Sequence, residues 1–166
     1  MSAFIENRTY DEIQIGESAT LTRSIRREDV QLFATLSGDF NPAHLDDEYA
    51  KAGMFGEVIA HGMLGGALIS TVLGTQLPGL GTIYVDQQLR FTRPVKLGDA
   101  LTVTLTVKEK SDEKKRVILD CLVANQDGKA VIRGVAEVIA PSEKIRQPRP
   151  SLPAVSVAGV PFSPAM

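Results

Sequence analysis

The sequence predicts an α+β protein in which one curved antiparallel sheet wraps one long central helix. Three observations carry this expectation. Between Val58 and Val85 there is no Asp, Glu, Lys or Arg, and Met63 to about Leu77 within that run reads as a helix apolar nearly all round, the pattern of a helix buried on most faces. Beyond it, the period of the apolar residues changes from helical to alternating. Two of the alternating runs are joined by Asn125-Gln126-Asp127-Gly128, whose Asp-Gly pair favours a tight hairpin, so these strands are antiparallel neighbours. A sheet of hairpins with one apolar face needs a cover, and the Met63–Leu77 helix is the only element apolar enough to supply it.

Taken in chain order, Ser18 to Ile25 alternates loosely as a strand. Arg27 to Leu36 then carries Val30, Phe33, Ala34 and Leu36 at helical spacing, with Gly38 as a stop. Pro42 disfavours the helical region for Asn41 and cannot continue a helix, so Asp39 and His44 are expected on a shaped loop. Asp46 to Ala52 supports one or two helical turns, and Pro78-Gly79 closes the long helix. Gly65, Gly66, Ala67 and Gly74 weaken that helix but let strands approach it closely and leave room for a slender ligand.

Ile83, Val85, Leu89 and Phe91 occupy alternate positions with Gln87 as the exception. Leu101, Val103, Leu105 and Val107 then alternate with Thr102, Thr104 and Thr106, as in a half-buried strand. The charged stretch Lys108 to Arg116 is expected to connect this strand to Val117–Ala124, and Ala130–Ala140 completes the set. Cys121 falls in an apolar alternation, as a small buried hydrophobe rather than a reactive thiol. From Pro141 the chain changes character, holding six of the nine prolines. The domain is therefore expected over residues 1–141, with 142–166 a proline-rich linker or tail that does not pack into it and whose abrupt end suggests a longer parent polypeptide.

A chain of 166 residues fits one domain, and its 43% hydrophobic content is enough for a real core. The formal charge of -2, from interspersed acidic and basic residues, offers no basic stripe for nucleic acid. The N-terminus lacks a basic start followed by an apolar run, so no secretory signal is read and cytoplasm is the expected compartment. The uncharged run is interrupted by His61, several glycines, Gln76 and Pro78, which argues against a membrane span.

Ser37-Gly38-Asp39-Phe40-Asn41-Pro42-Ala43-His44 places a carboxylate and an imidazole five positions apart, and His61-Gly62-Met63-Leu64 follows at the start of the long helix. An acid and an imidazole can hold one water between them, with the carboxylate accepting its proton as the oxygen attacks an electrophile. The first turn of the helix leaves backbone N–H groups free. A carbonyl bound near Gly62 would be polarised there, and charge developing on its oxygen would be stabilised. Asn41 is expected to shape the turn, and His61 to orient the helix start.

These two motifs, with Ser70 and Gln76-Leu77-Pro78-Gly79-Leu80-Gly81, resemble the MaoC-like, R-specific enoyl-CoA hydratases of the hot-dog fold, collinearly from about Tyr10 to Ala140. The resemblance implies reversible syn hydration of a trans-2-enoyl-CoA to the (R)-3-hydroxyacyl-CoA. Asp39 and His44 would activate the water, the Gly62 N–H would bind the thioester carbonyl, and Ser70 would support the site. It implies no metal and no redox cofactor, since the substrate carries coenzyme A. It also implies at least a homodimer with the acyl pocket at the subunit interface, and the tail is similar to that of fused proteins in which a phosphate acetyl- or butyryltransferase follows. Arg90, Arg93 and Lys96 are candidates for the CoA phosphates or for plain solvated surface. Two other classes stay open: a hot-dog thioesterase, whose nucleophile or base sits differently, and a non-catalytic acyl-CoA binding or docking module.

Overall fold

The computed structural model describes residues 3–163. Its centre is a five-stranded antiparallel sheet of β2 (Ser18–Ser24), β3 (Ile83–Phe91), β4 (Ala100–Ser111), β5 (Arg116–Ala124) and β6 (Ala130–Ile139), in the order β2-β4-β5-β6-β3. Alternation along β4 and β5 sends Leu101, Val103, Leu105, Val107, Val117, Leu119, Cys121 and Val123 to one face, all buried. That face is filled by the helix α4 (Gly62–Thr75), which buries Leu64, Leu68, Ile69, Val72 and Leu73. A methyl group on Gly65 would sit 2.4 Å from Ile132 Cδ1, so the missing side chain sets how closely helix and sheet approach. Gly74, by contrast, faces open space.

Around this core lie α1 (Arg27–Ser37), α2 (Pro42–Leu45) and α3 (Asp47–Ala52). Helix α1 begins with a capping box, in which the Asp29 carboxylate accepts from the backbone N–H of Arg26, and ends on Gly38 at φ 75°. Helix α2 corrects an expectation: His44 lies on a helical turn, not in a loop. Pro42 is the first helical residue, where its missing N–H costs nothing, and Asn41 caps the turn by accepting from the Ala43 N–H at 3.0 Å.

Three further expectations change. Strand β4 runs on through Lys108 to Ser111 with a register shift, so only a short 3₁₀ turn at Glu113–Lys115 joins it to β5. Strand β3 is not half-buried along its length: only Gln87 and Leu89 are partly covered, because β3 is an edge of the sheet. The segment after Pro141 does pack. β7 (Arg146–Pro148) pairs with β1 (Phe4–Glu6), and the hairpin of β8 (Val155–Val157) and β9 (Val160–Phe162) reaches α1, where the Arg26 guanidinium donates to the Ser163 carbonyl and lies over the Phe162 ring. Proline content signals a stiff chain without deciding whether that chain is free or laid down as a strap. No helix among the described residues is long and apolar enough to cross a membrane.

Candidate active site

The site is built where α1, α2 and the tip of α4 converge. Gly38 ends α1 and turns the chain so that Asp39 leaves it with its Oδ1 accepting the Asn41 backbone N–H at 3.1 Å. One turn later, α2 projects His44. Its Nδ1 lies 2.8 Å from the Ile59 carbonyl, and since a carbonyl only accepts, Nδ1 carries the hydrogen and Nε2 presents a lone pair. Ile59 is itself fixed from both sides, by its N–H to the Ala43 carbonyl and by a bridge to Lys96. The tautomer of His44 is thus set by backbone.

His61 precedes α4 and is 4% exposed. Its Nε2 donates to the Asp39 carbonyl at 3.3 Å and lies 3.9 Å from Asp39 Oδ2, while its ring packs on His44 with centroids 3.9 Å apart and on Phe33 at 5.1 Å. Its Nδ1 is buried without a partner. Burial pushes its pKa below the usual value; the nearby His44 adds to this, and Asp39 opposes it. The ring is neutral at neutral pH, and it ties the Asp39 backbone to the start of the central helix.

One ligand atom from each of Asp39, His44 and His61 falls within 4.8 Å of the others. As a metal cage the cluster is poor, because His61 Nε2 already donates to a carbonyl, which leaves only the Asp39 carboxylate and His44 Nε2 to ligate. As a grip for one water it is suitable: the Asp39 carboxylate and His44 Nε2 both accept, so a water can give one hydrogen to each and leave its lone pairs free. His44 also borders a cavity of about 330 Å³ shared with Gly62, Phe55 and Phe91. Gly62 opens α4, His61 gives it no side-chain cap, and no acidic residue occupies the first turn, so the N–H at the helix tip is free for an incoming oxygen. A methyl on Gly62 would come within 3.1 Å of the Phe91 ring, which forms the opposite wall.

Asp39, His44, His61 and Gly62 are therefore brought together, and Asn41 holds the turn between the first two. Ser70 is not among them: it sits two helical turns away on an exposed face of α4, lining a second cavity of about 470 Å³ with Met63, Gly66 and strand β3. Of the basic candidates, Arg93 donates to the Ala130 carbonyl at 2.7 Å, Lys96 pairs with Glu57, and Arg90 lies on the far face of the sheet. Sequence reasoning missed the Ile59 carbonyl that sets the His44 tautomer and the Phe91 wall over Gly62. The first is a backbone group with no residue-type signal, and the second sits about thirty positions away in a strand that reads only as alternation.

The fold and this arrangement define a hot-dog protein with an acid–imidazole pair at the tip of its central helix. Residues 11–125 match the MaoC like domain, and the chain belongs to that family. It is 48% identical over 135 residues to an (R)-specific enoyl-CoA hydratase of Rhodospirillum rubrum, covering 80% of this chain and 92% of that protein. It is 38% identical to a 3-hydroxybutyryl-CoA dehydratase of Methylorubrum extorquens, over 84% and 88%. Among solved structures it is similar to the unliganded R-hydratase PhaJ1 of Pseudomonas aeruginosa, with a TM-score of 0.89, 52% identity, and 93% of this chain and 99% of that one covered. That share exceeds residues 1–141, so part of the strap belongs to the common fold.

Proposed function

We infer that the protein catalyses reversible hydration of a trans-2-enoyl-CoA to the (R)-3-hydroxyacyl-CoA. The observation that carries this reading is that ligand atoms of Asp39 and His44 lie within 4.8 Å of one another, with the His44 Nε2 lone pair unused, beside the free N–H at Gly62. A relative named for this activity, 48% identical over 92% of its own length, supports it. The thioester carbonyl takes the N–H of Gly62, which draws electron density from the conjugated double bond and makes C3 electrophilic. A water held by Asp39 and His44 attacks C3. Its O–H bond breaks toward the Asp39 carboxylate, the C3–O bond forms, and the enolate charge rests at the helix tip. The proton then passes from the pair to the α carbon on the same face, so one water is consumed and the pair is regenerated. Neither a metal nor a redox cofactor enters these steps.

His61 and Asn41 serve as positioning residues, and Ser70 borders the neighbouring apolar cavity suited to the acyl chain. The protein acts as a homodimer in the cytoplasm, the exposed edge of β3 being the surface that a second copy would cover. The test is conversion of crotonyl-CoA, followed by loss of enoyl absorbance with chiral analysis of the product. Asp39→Asn should retain the fold and lower turnover by about 10²- to 10⁴-fold. Normal hydration by that variant, or release of free CoA thiol by the unaltered protein, would defeat the assignment.

A further inference from the structure

Gln87 breaks the apolar alternation of β3, and its place in the fold gives that break a use. Directly opposite residues of an antiparallel pair share a face of the sheet. In the β3–β6 register Phe91 lies opposite Ile132, Gln87 opposite Ala136 and Tyr84 opposite Val138, and these three partners are buried, so Phe91, Gln87 and Tyr84 all face α4. Tyr84 and Gln87, three positions apart, would point to opposite faces of a regular strand. The register shift between Tyr84 and Asp86 leaves Val85 unpaired and returns Tyr84 to the inner row. That row follows the central helix from its tip: Phe91 lies against Gly62, Leu89 against Gly66, and Gln87 and Tyr84 then line the cavity of about 470 Å³ with Ser70. Phe33 packs on His61 and lines the same cavity, so the cavity starts beside the catalytic cluster. At about 3.3 Å of rise per residue, roughly 13 Å of strand separates Phe91 from Gln87.

The Gln87 amide is bonded at both ends. Its Nε2 donates to the Gln88 carbonyl at 3.0 Å and to the Val135 carbonyl at 3.0 Å, and its Oε1 accepts from the Tyr84 hydroxyl. A glutamine held this way does not swing aside freely, because moving it strands a half-buried amide and the groups it was bonded to. We propose that Gln87, locked by Tyr84 and Val135, is the end wall of the acyl site and restricts the enzyme to short acyl chains. This rests on the hydratase reading above and adds its substrate class. A C4 or C6 chain leaving a carbonyl at Gly62 runs past Leu89 and Gly66 and stops short of the amide. A C10 chain reaches it, and can be seated only by pulling Gln87 from its three bonds or by folding back on itself. A leucine at position 87 would have continued the apolar row, but with no bonds to hold it in place. The polar exception is what makes the wall rigid.

The quantity to measure is kcat/KM over a series of trans-2-enoyl-CoA esters from C4 to C10, read as the ratio of the C10 value to the C4 value. Any change in the water-activating cluster acts on both lengths and cancels in that ratio. In the unaltered protein kcat/KM should fall by at least about tenfold between C6 and C10. Gln87→Ala takes the wall away and should raise the C10 to C4 ratio by at least about tenfold. Tyr84→Phe keeps the ring but releases one end of the amide, and should raise the ratio by about threefold or more. An unaltered protein that hydrates C10 as readily as C4 would overturn the end wall and leave the hydratase reading standing. So would a ratio unmoved in Gln87→Ala or, should that variant fail to fold, unmoved in Tyr84→Phe. Failure of the unaltered protein to hydrate crotonyl-CoA would overturn the wall and the hydratase reading together.

Discussion

His61 is the residue on which fold and chemistry are most tightly coupled. Its one bonded nitrogen faces the Asp39 carbonyl and its other has no acceptor, so a second proton would create a buried unsatisfied N–H. Folding therefore holds its pKa below the ordinary 6.5. The unfolded chain takes up the proton first as pH falls, so the stability that neutral His61 confers is complete above about 6.5 and is lost as pH drops below it toward the folded value. Thermal melts at about pH 7.5 and about pH 5.5 should show a larger loss of Tm in the unaltered protein than in His61→Gln; equal losses would remove this account. Gly62 makes a second point at the same scale. In Gly62→Ala the methyl meets the Phe91 ring at 3.1 Å, so the ring must give by a few tenths of an ångström and the helix tip is partly screened from a carbonyl. Turnover should fall by about 10- to 100-fold while the melting temperature barely moves. A variant that unfolds, or one with unchanged turnover, would place the role of Gly62 elsewhere.

Among the elements, the β3–β6 ladder has the least tolerance. A methyl on Gly134 would lie 2.0 Å from the Gln88 carbonyl oxygen, which is backbone and cannot rotate aside. Gly134→Ala should destabilise the protein by about 3 kcal/mol or more, read from the shift in urea midpoint, and weaken the edge strand that lines the cavity beside Ser70. A neutral result would mean that β3 is loosely held. No local pattern announces this contact, and the same limit governs what the sequence reveals elsewhere. Helices α1 and α4 and strands β4 to β6 are legible because periodicity is a local property, summed over seven or more residues. Helix α2 is not, because Pro42 at a helix start and Pro42 as a breaker look alike until Asn41 is seen to cap the turn. Asp39, His44 and Gly62 are legible as a motif, whereas the Ile59 carbonyl and the Phe91 wall depend on contacts across the fold. Strand β1 has three residues, and its partner β7 lies some 140 positions away, beyond any periodic signal.

At the scale of the whole molecule, the question is where the domain ends, and Asn7 answers it. This residue is fully buried although polar. Its Nδ2 donates to the Leu80 carbonyl at 3.1 Å and the Glu143 carbonyl at 2.8 Å, its Oδ1 accepts the Ile145 N–H at 2.9 Å, its own N–H reaches the Ile145 carbonyl at 3.1 Å, and Lys144 donates to its carbonyl at 2.6 Å. All but the first of these come from the strap, and they lock the N-terminal strand, the loop after α4 and the segment beyond Pro141 into one knot. The β8–β9 hairpin is different. Apart from the half-buried Val157 and Phe162 its residues are exposed, and it meets α1 only at a small patch where Phe162 lies near Leu32 and Leu36 and under the Arg26 guanidinium. Two truncations should therefore behave unequally. Ending the chain after Arg149 keeps β7 and every Asn7 partner, and should cost about 1 kcal/mol or less. Ending it after Pro141 strips four hydrogen bonds from a buried amide and its backbone, and should cost about 2–5 kcal/mol. Urea denaturation of the two shortened chains makes the comparison. Equal stabilities would mean that Asn7 finds water as readily as it finds the strap, and the boundary would return to Pro141.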